Sequence, residues 1–261
     1  MHKILDFIKK NKQFSFFLLL VILLALITIF APVIAPQDPY ASDLKNALQP
    51  PSSDHWFGTD KLGRDIFSRV IYASRSSLPA TLILVALIFA IGTLLGTLAG
   101  YFGGWIDAVI MRISDMMISF PGMVLAIAVA GIMGASVKNA VIAVAVVSWP
   151  KYARLARSLV MKIRHEDYIY AAIVTGSKTS YILRKYMLPN IIPTLIITAA
   201  TDIGGMMLEL AGLSFLGFGA KAPAAEWGLM LNEGRTYMQN APWMMIYPVS
   251  YSCQRHLLPG R

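Results

Sequence analysis

Charged side chains are scarce in this sequence, and cysteine is almost missing from it. Only 14% of the 261 residues are charged, whereas soluble domains carry roughly a quarter. The single cysteine, Cys253, excludes an intrachain disulfide framework and a cysteine-based zinc or iron–sulfur site. The four histidines are scattered, with no spacing typical of metal ligands. These shortages argue against an ordinary soluble domain and against a site built from cysteine or histidine ligands.

Sequence patterns for nucleotide hydrolysis and for covalent catalysis are also missing. The stretch Gly176-Ser-Lys-Thr lacks the first glycine and the Gly-Lys pair of a phosphate-binding loop. No Ser-His-Asp or paired-carboxylate arrangement falls on one soluble face. We therefore expect no cofactor bound by this chain and no enzymatic activity. A membrane-embedded enzyme stays a distant alternative, with Asp202 and Glu209 as its only candidate residues, and catalysis by the isolated chain would support it.

Long apolar runs dominate what is present. Hydrophobic residues make up 56% of the chain, and they cluster into runs near the roughly 20 residues that cross a bilayer. The sequence therefore predicts an all-α polytopic membrane protein with about six spans. The expected spans cover residues 14–35, 79–100, 117–135, 139–158 and 190–216, with an incomplete sixth from residue 241.

The same runs divide the chain along its length. We expect an N-terminal segment with the first span at 1–35, an extracytoplasmic loop at 36–78, a membrane-embedded core at 79–248 and an atypical tail at 249–261. The apolar run from Ala241 holds only about ten residues, too few to cross a bilayer. We therefore expect a truncation or a change of reading frame after Pro248, which the intact mass of the native subunit would test.

The positive charge of the chain lies beside its apolar runs. The formal net charge is +9, and lysines crowd residues 1–13. Eight basic residues between Lys151 and Lys185 face only two acids. The positive-inside rule therefore predicts that the N-terminus and residues 151–189 are cytoplasmic. The charge needs no nucleic-acid partner, although the basic residues also suit anionic lipid.

Small residues recur along the second expected span. Gly92, Gly96 and Gly100 follow one another at four-residue spacing. This spacing places a smooth stripe on one helix face and lets a neighbouring helix approach closely. The pattern predicts a packed helical bundle and does not indicate a particular activity.

The fifth expected span carries two acidic residues. Asp202 and Glu209 are seven residues apart, which is close to two helical turns, so both lie on one face with Met206 between them. Ionisable groups inside a membrane usually face the bundle interior or a water path. These three residues are our candidate translocation pathway, with oxygen and sulfur for a passing cation. The alternative is that they pack and hydrogen-bond between helices, and any metal role is unknown.

The extracytoplasmic loop contains the most distinctive motif. Residues 57–69 read Phe-Gly-Thr-Asp-Lys-Leu-Gly-Arg-Asp-Ile-Phe-Ser-Arg. This outer-loop motif closely resembles a pattern of the peptide and nickel branch of ABC importer permeases. A solvated, turn-rich loop would use similar residue types. The positions that match are Gly58, Thr59, Asp60, Gly63, Arg64 and Asp65.

A second resemblance lies in the basic segment at 151–189, which we name the coupling loop. Two alanines, a glycine and a later Leu-Pro resemble the "EAA" loop of the same permeases, with Tyr170 in place of the consensus glutamate. Small residues allow close helix contact, glycine allows a turn, and proline begins the next helix. The residues assigned to ATPase coupling are Ala171, Ala172, Gly176, Arg184, Leu188 and Pro189.

These resemblances imply a type I ABC importer transmembrane domain in the cytoplasmic (inner) membrane of a prokaryote. The family implies a second homologous permease, two ATPase subunits that hold ATP and Mg²⁺, and an extracytoplasmic binding protein. The sequence of residues 222–235 resembles nickel-type permeases most closely, which implies nickel, free or chelated, as the substrate. A di- or oligopeptide substrate is the alternative. A third possibility is a purely structural membrane scaffold, but such a scaffold would give the coupling loop no function.

Overall fold

The computed structural model describes residues 12–253, and these residues form helices joined by short turns and one longer loop. Within that range we number nine helices in chain order. They are α1 (Lys12–Ile34), α2 (Ile66–Phe102), α3 (Gly104–Ser119), α4 (Gly122–Met133), α5 (Val137–Ile163), α6 (Asp167–Val174), α7 (Thr179–Phe215), α8 (Trp227–Gly234) and α9 (Trp243–Cys253).

Two of the described helices, α2 and α7, are long and apolar enough to cross a membrane. Each has 37 residues, or about 55 Å at 1.5 Å per residue, against a hydrocarbon core of about 30 Å. The apolar segment Leu18–Ile34 within α1 is shorter. The regular structure of residues 12–253 is thus helical, as predicted for a membrane protein. Two of these helices, or three if α3 and α4 count as one, have the length and apolarity of a span, fewer than the about six expected.

The third expected span, 117–135, differs from the structure. Helices α3 and α4 meet at Phe120 and Pro121 with a bend of 96°, and the pair qualifies as a span only if it is counted as one. The expected inner link before it is itself helical, as α3. Proline fixes its own backbone and disfavours helix in the preceding residue, so the helix ends at Ser119.

The expected loop at 36–78 also ends earlier than predicted, because α2 begins at Ile66. The carboxylate of Asp65 accepts hydrogen bonds from the backbone N–H of Ser68 at 2.8 Å and from its hydroxyl at 2.7 Å. A carboxylate in this position satisfies N–H groups that a helix start leaves open. Residues 66–78 are therefore helical.

The chain divides into two compact units. One combines the described residues up to Leu78 with those from Ala222 onward, and the other runs from Pro79 to Lys221. The second unit holds the main hydrophobic core, built from α2, α4, α5, α6 and α7. Two predictions lie wholly or partly outside the described residues. They are the cytoplasmic N-terminus, at 1–11, and part of the atypical tail, at 254–261.

The glycine stripe of α2 packs against α5, as its spacing predicts. A Cβ atom added at Gly96 would lie 2.2 Å from the carbonyl oxygen of Ala153, and one added at Gly92 would lie 2.4 Å from Cβ of Tyr152. Such distances exclude any side chain without a shift of backbone. The stripe thus brings the two helices close together and holds α5 in position.

Candidate functional site

The acidic residue Asp202 of α7 meets two residues of α5. The Lys151 ammonium lies 2.7 Å from both carboxylate oxygens, and the Tyr152 hydroxyl donates to Oδ2 at 3.0 Å. The Lys151 side chain is 57% exposed and that of Asp202 is 15% exposed. An ammonium and a carboxylate at this distance form a charge-assisted pair with no net charge. The ammonium is thus open on one side while the acid is engaged.

The other two residues of the candidate pathway lie along the same helix. Met206 is buried at 8% exposure, and Glu209 is partly buried. Glu209 lies near enough to Lys151 and Asp202 to interact with both electrostatically. The structure therefore places the two predicted acids near Lys151, with Met206 between them along α7. No group of three or more His, Cys, Asp or Glu side chains suited to a metal ion occurs within the described range.

Two further basic residues of α5 pair with acids of α3. Arg157 binds Asp107 through two guanidinium nitrogens, and Arg154 binds Asp115. Parallel contacts of this kind between a guanidinium and a carboxylate are strong and fix geometry. With Lys151, three of the eight basic residues assigned to membrane topology make specific contacts between helices, which charge counting did not predict.

The coupling loop turns at Gly176, directly after α6. Gly176 has φ +78°, its N–H donates to the carbonyl of Ile173, and the N–H of Ser177 donates to that of Ala172. This pair of bonds with a left-handed residue is the Schellman motif that ends helices. The predicted turn is present, with open space where a Gly176 side chain would stand. Of the two alanines, Ala172 is buried and Ala171 is exposed.

The proline of the coupling loop lies in the first turn of an α-helical stretch, as predicted. Pro189 is the second residue of the stretch Leu188–Phe215, which continues within α7 from a π-helical turn at Leu183–Met187. The N–H of Leu188 donates to the carbonyl of Leu183, five residues back. Proline removes one hydrogen bond from a helix, and a wider turn is one way for the chain to accommodate it. Arg184 is exposed on this turn.

The charged residues of the outer-loop motif form a buried network. Asp60 accepts from the Arg64 backbone at 3.0 Å and from its Nε at 2.6 Å. Arg64 Nη2 donates to Glu233 at 3.0 Å, and both side chains are under 10% exposed. Arg69 donates to the carbonyls of Pro39 and Ala224. The network ties the loop to the chain after residue 222.

The remaining motif residues support the loop backbone. Gly58 and Gly63 have φ +74° and +75°, and a Cβ at Gly63 would lie 1.7 Å from the carbonyl oxygen of Asp43. The Thr59 hydroxyl donates to the carbonyl of Asn46 at 2.5 Å. Besides starting α2, Asp65 lies 3.1 Å from Nδ1 of His55. The motif positions therefore serve the fold of this loop.

Sequence reasoning missed Lys151, Tyr152 and Glu233 as members of these clusters. Lys151 was assigned to membrane topology because basic residues follow it. The available signal was an imbalance: an acid inside one span needs a partner, and Lys151 is the first charged residue at the end of the preceding span. For Glu233 the signal was weaker, since its partner Arg64 lies 169 residues away.

Comparison with known proteins identifies matching families. The family described as "Binding-protein-dependent transport system inner membrane component" matches residues 92–251. The family described as "N-terminal TM domain of oligopeptide transport permease C" matches residues 3–51. The first match covers more than half of the chain, and the second covers its N-terminal end.

Individual relatives are similar over most of their length. The chain is 44% identical to the dipeptide transport system permease protein DppC of Alkalihalophilus pseudofirmus, over 92% of this chain and 79% of that protein. It is 40% identical to the nickel transport system permease protein NikC of Escherichia coli, over 88% and 83%. It is 45% identical to the glutathione transport system permease protein GsiD of an Escherichia coli strain, over 88% and 76%.

A solved structure supports the fold. A chain from inward facing conformations of the MetNI methionine ABC transporter superposes with a TM-score of 0.54 at 17% identity, covering 72% of this chain and 91% of that chain. At this identity the likeness concerns the fold alone, and it agrees with the predicted transmembrane domain of an ABC importer.

Proposed function

Because this chain belongs to the family of binding-protein-dependent transport system inner membrane components, in its peptide and nickel branch, we propose that it helps to form the translocation pathway for short peptides. It is an ABC importer permease subunit, a transport component and not an enzyme. Its relatives include dipeptide, nickel and glutathione permeases, so similarity alone does not distinguish the substrate.

The observation that carries the peptide proposal is the pair between Lys151 and Asp202. A divalent cation that approached Asp202 would meet a carboxylate already engaged at 2.7 Å and an ammonium that repels it. A short peptide carries both a carboxylate and an ammonium. The exposed side of the Lys151 ammonium can bind the peptide carboxylate, and the carboxylate of Glu209 can bind the peptide ammonium.

The partners follow from the family as a proposal. A second homologous permease completes the pathway, and two ATPase subunits bind ATP and Mg²⁺ at the coupling loop. An extracytoplasmic binding protein delivers the substrate, and transport proceeds by alternating access. The N-terminus lies in the cytoplasm, as the positive-inside rule predicts.

The coupling loop transmits movement from the ATPase subunits. Helix α6 ends in the sharp turn at Gly176 and presents exposed side chains, among them Tyr170 and Val174. Buried Ala172 joins this helix to the core that also contains α5 and α7. A displacement of α6 by an ATPase subunit would therefore move the helices that pack against it. The second half of the coupling loop contains the other assigned residues, Arg184, Leu188 and Pro189.

Nickel is the second candidate, and specific observations favour it. The sequence of residues 222–235 resembles nickel-type permeases, and a nickel transport permease is 40% identical over 83% of its length. Met206 also offers a sulfur atom between the two acids. A chelated nickel ion with little net charge would avoid the repulsion from Lys151.

Uptake by the complete importer with its binding protein, in sealed vesicles supplied with ATP, tests both candidates. We expect ATP-dependent uptake of a labelled dipeptide, and loss of that uptake per amount of folded importer in a Lys151→Met, Asp202→Asn double variant, which keeps the yield of folded protein. The control is Lys138→Met, which removes a lysine near the start of the same helix. Uptake of nickel-63 that dipeptides do not block, with no dipeptide uptake, would refute the peptide proposal and support nickel.

A further inference from the structure

Two adjacent glycines, Gly204 and Gly205, lie in α7 between Asp202 and Met206. Glycine is one of the least favourable residues inside a helix, because it loses more backbone freedom on folding than any other residue. The glycines of α2 have a packing reason, since α5 lies directly against them. A Cβ atom added at Gly204 or Gly205 would meet no atom within 4 Å from another part of the described chain. Packing within this chain therefore gives no reason for the second pair.

Only one of these two glycines shares a helix face with the acids of the candidate pathway. Gly205 follows Asp202 by three residues and precedes Glu209 by four. Residues at these spacings are neighbours on a helix surface, with about 5–6 Å between their Cβ atoms. Gly204 is two residues from Asp202 and five from Glu209, which places it roughly 140° or more around the helix from both. Gly204 thus adjoins open space on the far side of α7.

The side chain of Glu209 extends toward Gly205. Long side chains in a helix point toward its N-terminus and cover the residues three and four positions earlier. For Glu209 these residues are Met206, which is buried in the hydrophobic core, and Gly205, which leaves open space. The electrostatic interaction of Glu209 with Lys151 and Asp202 agrees with this direction. The carboxylate of Glu209 therefore lies beside the space that Gly205 leaves open.

The covalent structure of a peptide determines which of its groups lies beside this carboxylate. In the proposed function, Glu209 binds the peptide ammonium and Lys151 binds the peptide carboxylate. The ammonium and the side chain of the first residue are attached to the same carbon atom. A peptide bound at Glu209 therefore places its first side chain next to the turn that contains Gly205. In a dipeptide, the second side chain is attached to the carbon that carries the carboxylate, on the Lys151 side.

We propose that Gly205 is a specificity-determining residue, which provides the space for the first side chain of the transported peptide. This inference rests on the proposed peptide transport and adds a particular position of the peptide to it. With glycine at residue 205, the pathway accepts peptides that begin with a bulky residue. A side chain at residue 205 would restrict the pathway to peptides that begin with a small one.

Uptake of two dipeptides with the same composition tests the proposal. The complete importer with its binding protein, in sealed vesicles supplied with ATP, receives phenylalanyl-alanine or alanyl-phenylalanine. The variants are Gly205→Leu and Gly205→Ala. The matched controls are Gly204→Leu and Gly204→Ala, which add the same groups to open space on the far side of α7. Because all variants use the same binding protein, its own preference cancels when the uptake ratios are compared.

We expect Gly205→Leu to lower the ratio of phenylalanyl-alanine uptake to alanyl-phenylalanine uptake by at least about five-fold, because the new side chain fills the space of the first residue. Gly205→Ala should change the ratio less and in the same direction, since it adds a single methyl group. Both Gly204 variants should keep the parent ratio. An unchanged ratio in Gly205→Leu would overturn the inference, as would a parent importer that takes up only alanyl-phenylalanine.

Two other results would assign the glycines differently and equally overturn the inference. Equal losses of both dipeptides in the Gly204 and Gly205 variants would show that the pair is a hinge of α7. Loss of the second permease from purified Gly205→Leu importer would show that this face contacts the partner subunit. Failure of the proposed function itself looks different, because the parent importer would then take up neither dipeptide.

Discussion

Replacing Gly96 with alanine perturbs the closest contact between α2 and α5. The new Cβ atom would lie 2.2 Å from the carbonyl oxygen of Ala153 and 2.8 Å from Cβ of Ala156. Cβ contacts below 3.0 Å are essentially never found in proteins. The two helices must therefore separate by roughly 1 Å to restore ordinary van der Waals distances. Because both nearest neighbours are short or part of the backbone, no flexible side chain can yield instead.

The magnitude of this effect follows from overpacking. Forcing one methyl group into a well-packed interface costs about 1–3 kcal/mol. We expect about 2 kcal/mol at Gly96, because the separation also loosens the contacts made by Gly92 and Gly100. The matched control is Gly131→Ala, where the new Cβ would lie 3.6 Å from Cε1 of Phe218, an ordinary contact. There the helix preference of alanine over glycine favours the variant by up to about 1 kcal/mol.

Equilibrium unfolding of the purified protein in mixed micelles, with increasing sodium dodecyl sulfate, measures both free energies. Tryptophan fluorescence reports the transition, and Trp149 lies on α5 beside Gly92. We expect the free energy of unfolding to fall for Gly96→Ala and to stay equal or rise for Gly131→Ala. A Gly96→Ala protein as stable as the parent would refute the close approach of the two helices.

The other predictions concern coupling, the charged pair and the outer loop. Gly176→Leu should uncouple ATP hydrolysis from transport, whereas Gly176→Ala should add only about 1–2 kcal/mol of left-handed backbone strain and keep partial coupling. Lys151→Met should lower the yield of folded protein by leaving the Asp202 charge with only the Tyr152 hydroxyl as partner, and adding Asp202→Asn should restore the yield. Arg64→Met should destabilise the outer loop by roughly 3–5 kcal/mol, against under about 1 kcal/mol for half-exposed Lys61→Met.

Each of these predictions has a result that contradicts it. Normal ratios of transport to ATP hydrolysis in Gly176→Leu would remove the coupling loop from its assigned place. A double variant at Lys151 and Asp202 that folds no better than Lys151→Met would show that the pair is not coupled. Equal effects of the Arg64 and Lys61 substitutions, measured by protease resistance of the outer loop, would show that the buried network contributes no special stability.

Several local features of this protein were predictable from the sequence. The turn at Gly176 was expected because a glycine between two helical patterns satisfies a backbone conformation that other residues resist. The close helix contact at Gly92, Gly96 and Gly100 was expected because four-residue spacing depends only on the geometry of a single helix. The bend at Pro121 had a local cause as well, but the sequence does not state its angle of 96°.

The sequence by itself thus determined the class of protein and the features confined to one helix or one turn, because apolar length, charge bias and residue spacing act within short segments. Only the tertiary structure decided the long-range pairs. Lys151 meets Asp202 across 51 positions, and Arg64 meets Glu233 across 169. Such pairs depend on how each helix is rotated and shifted against its neighbour. That register results from the packing of many side chains together, and no single stretch of sequence encodes it.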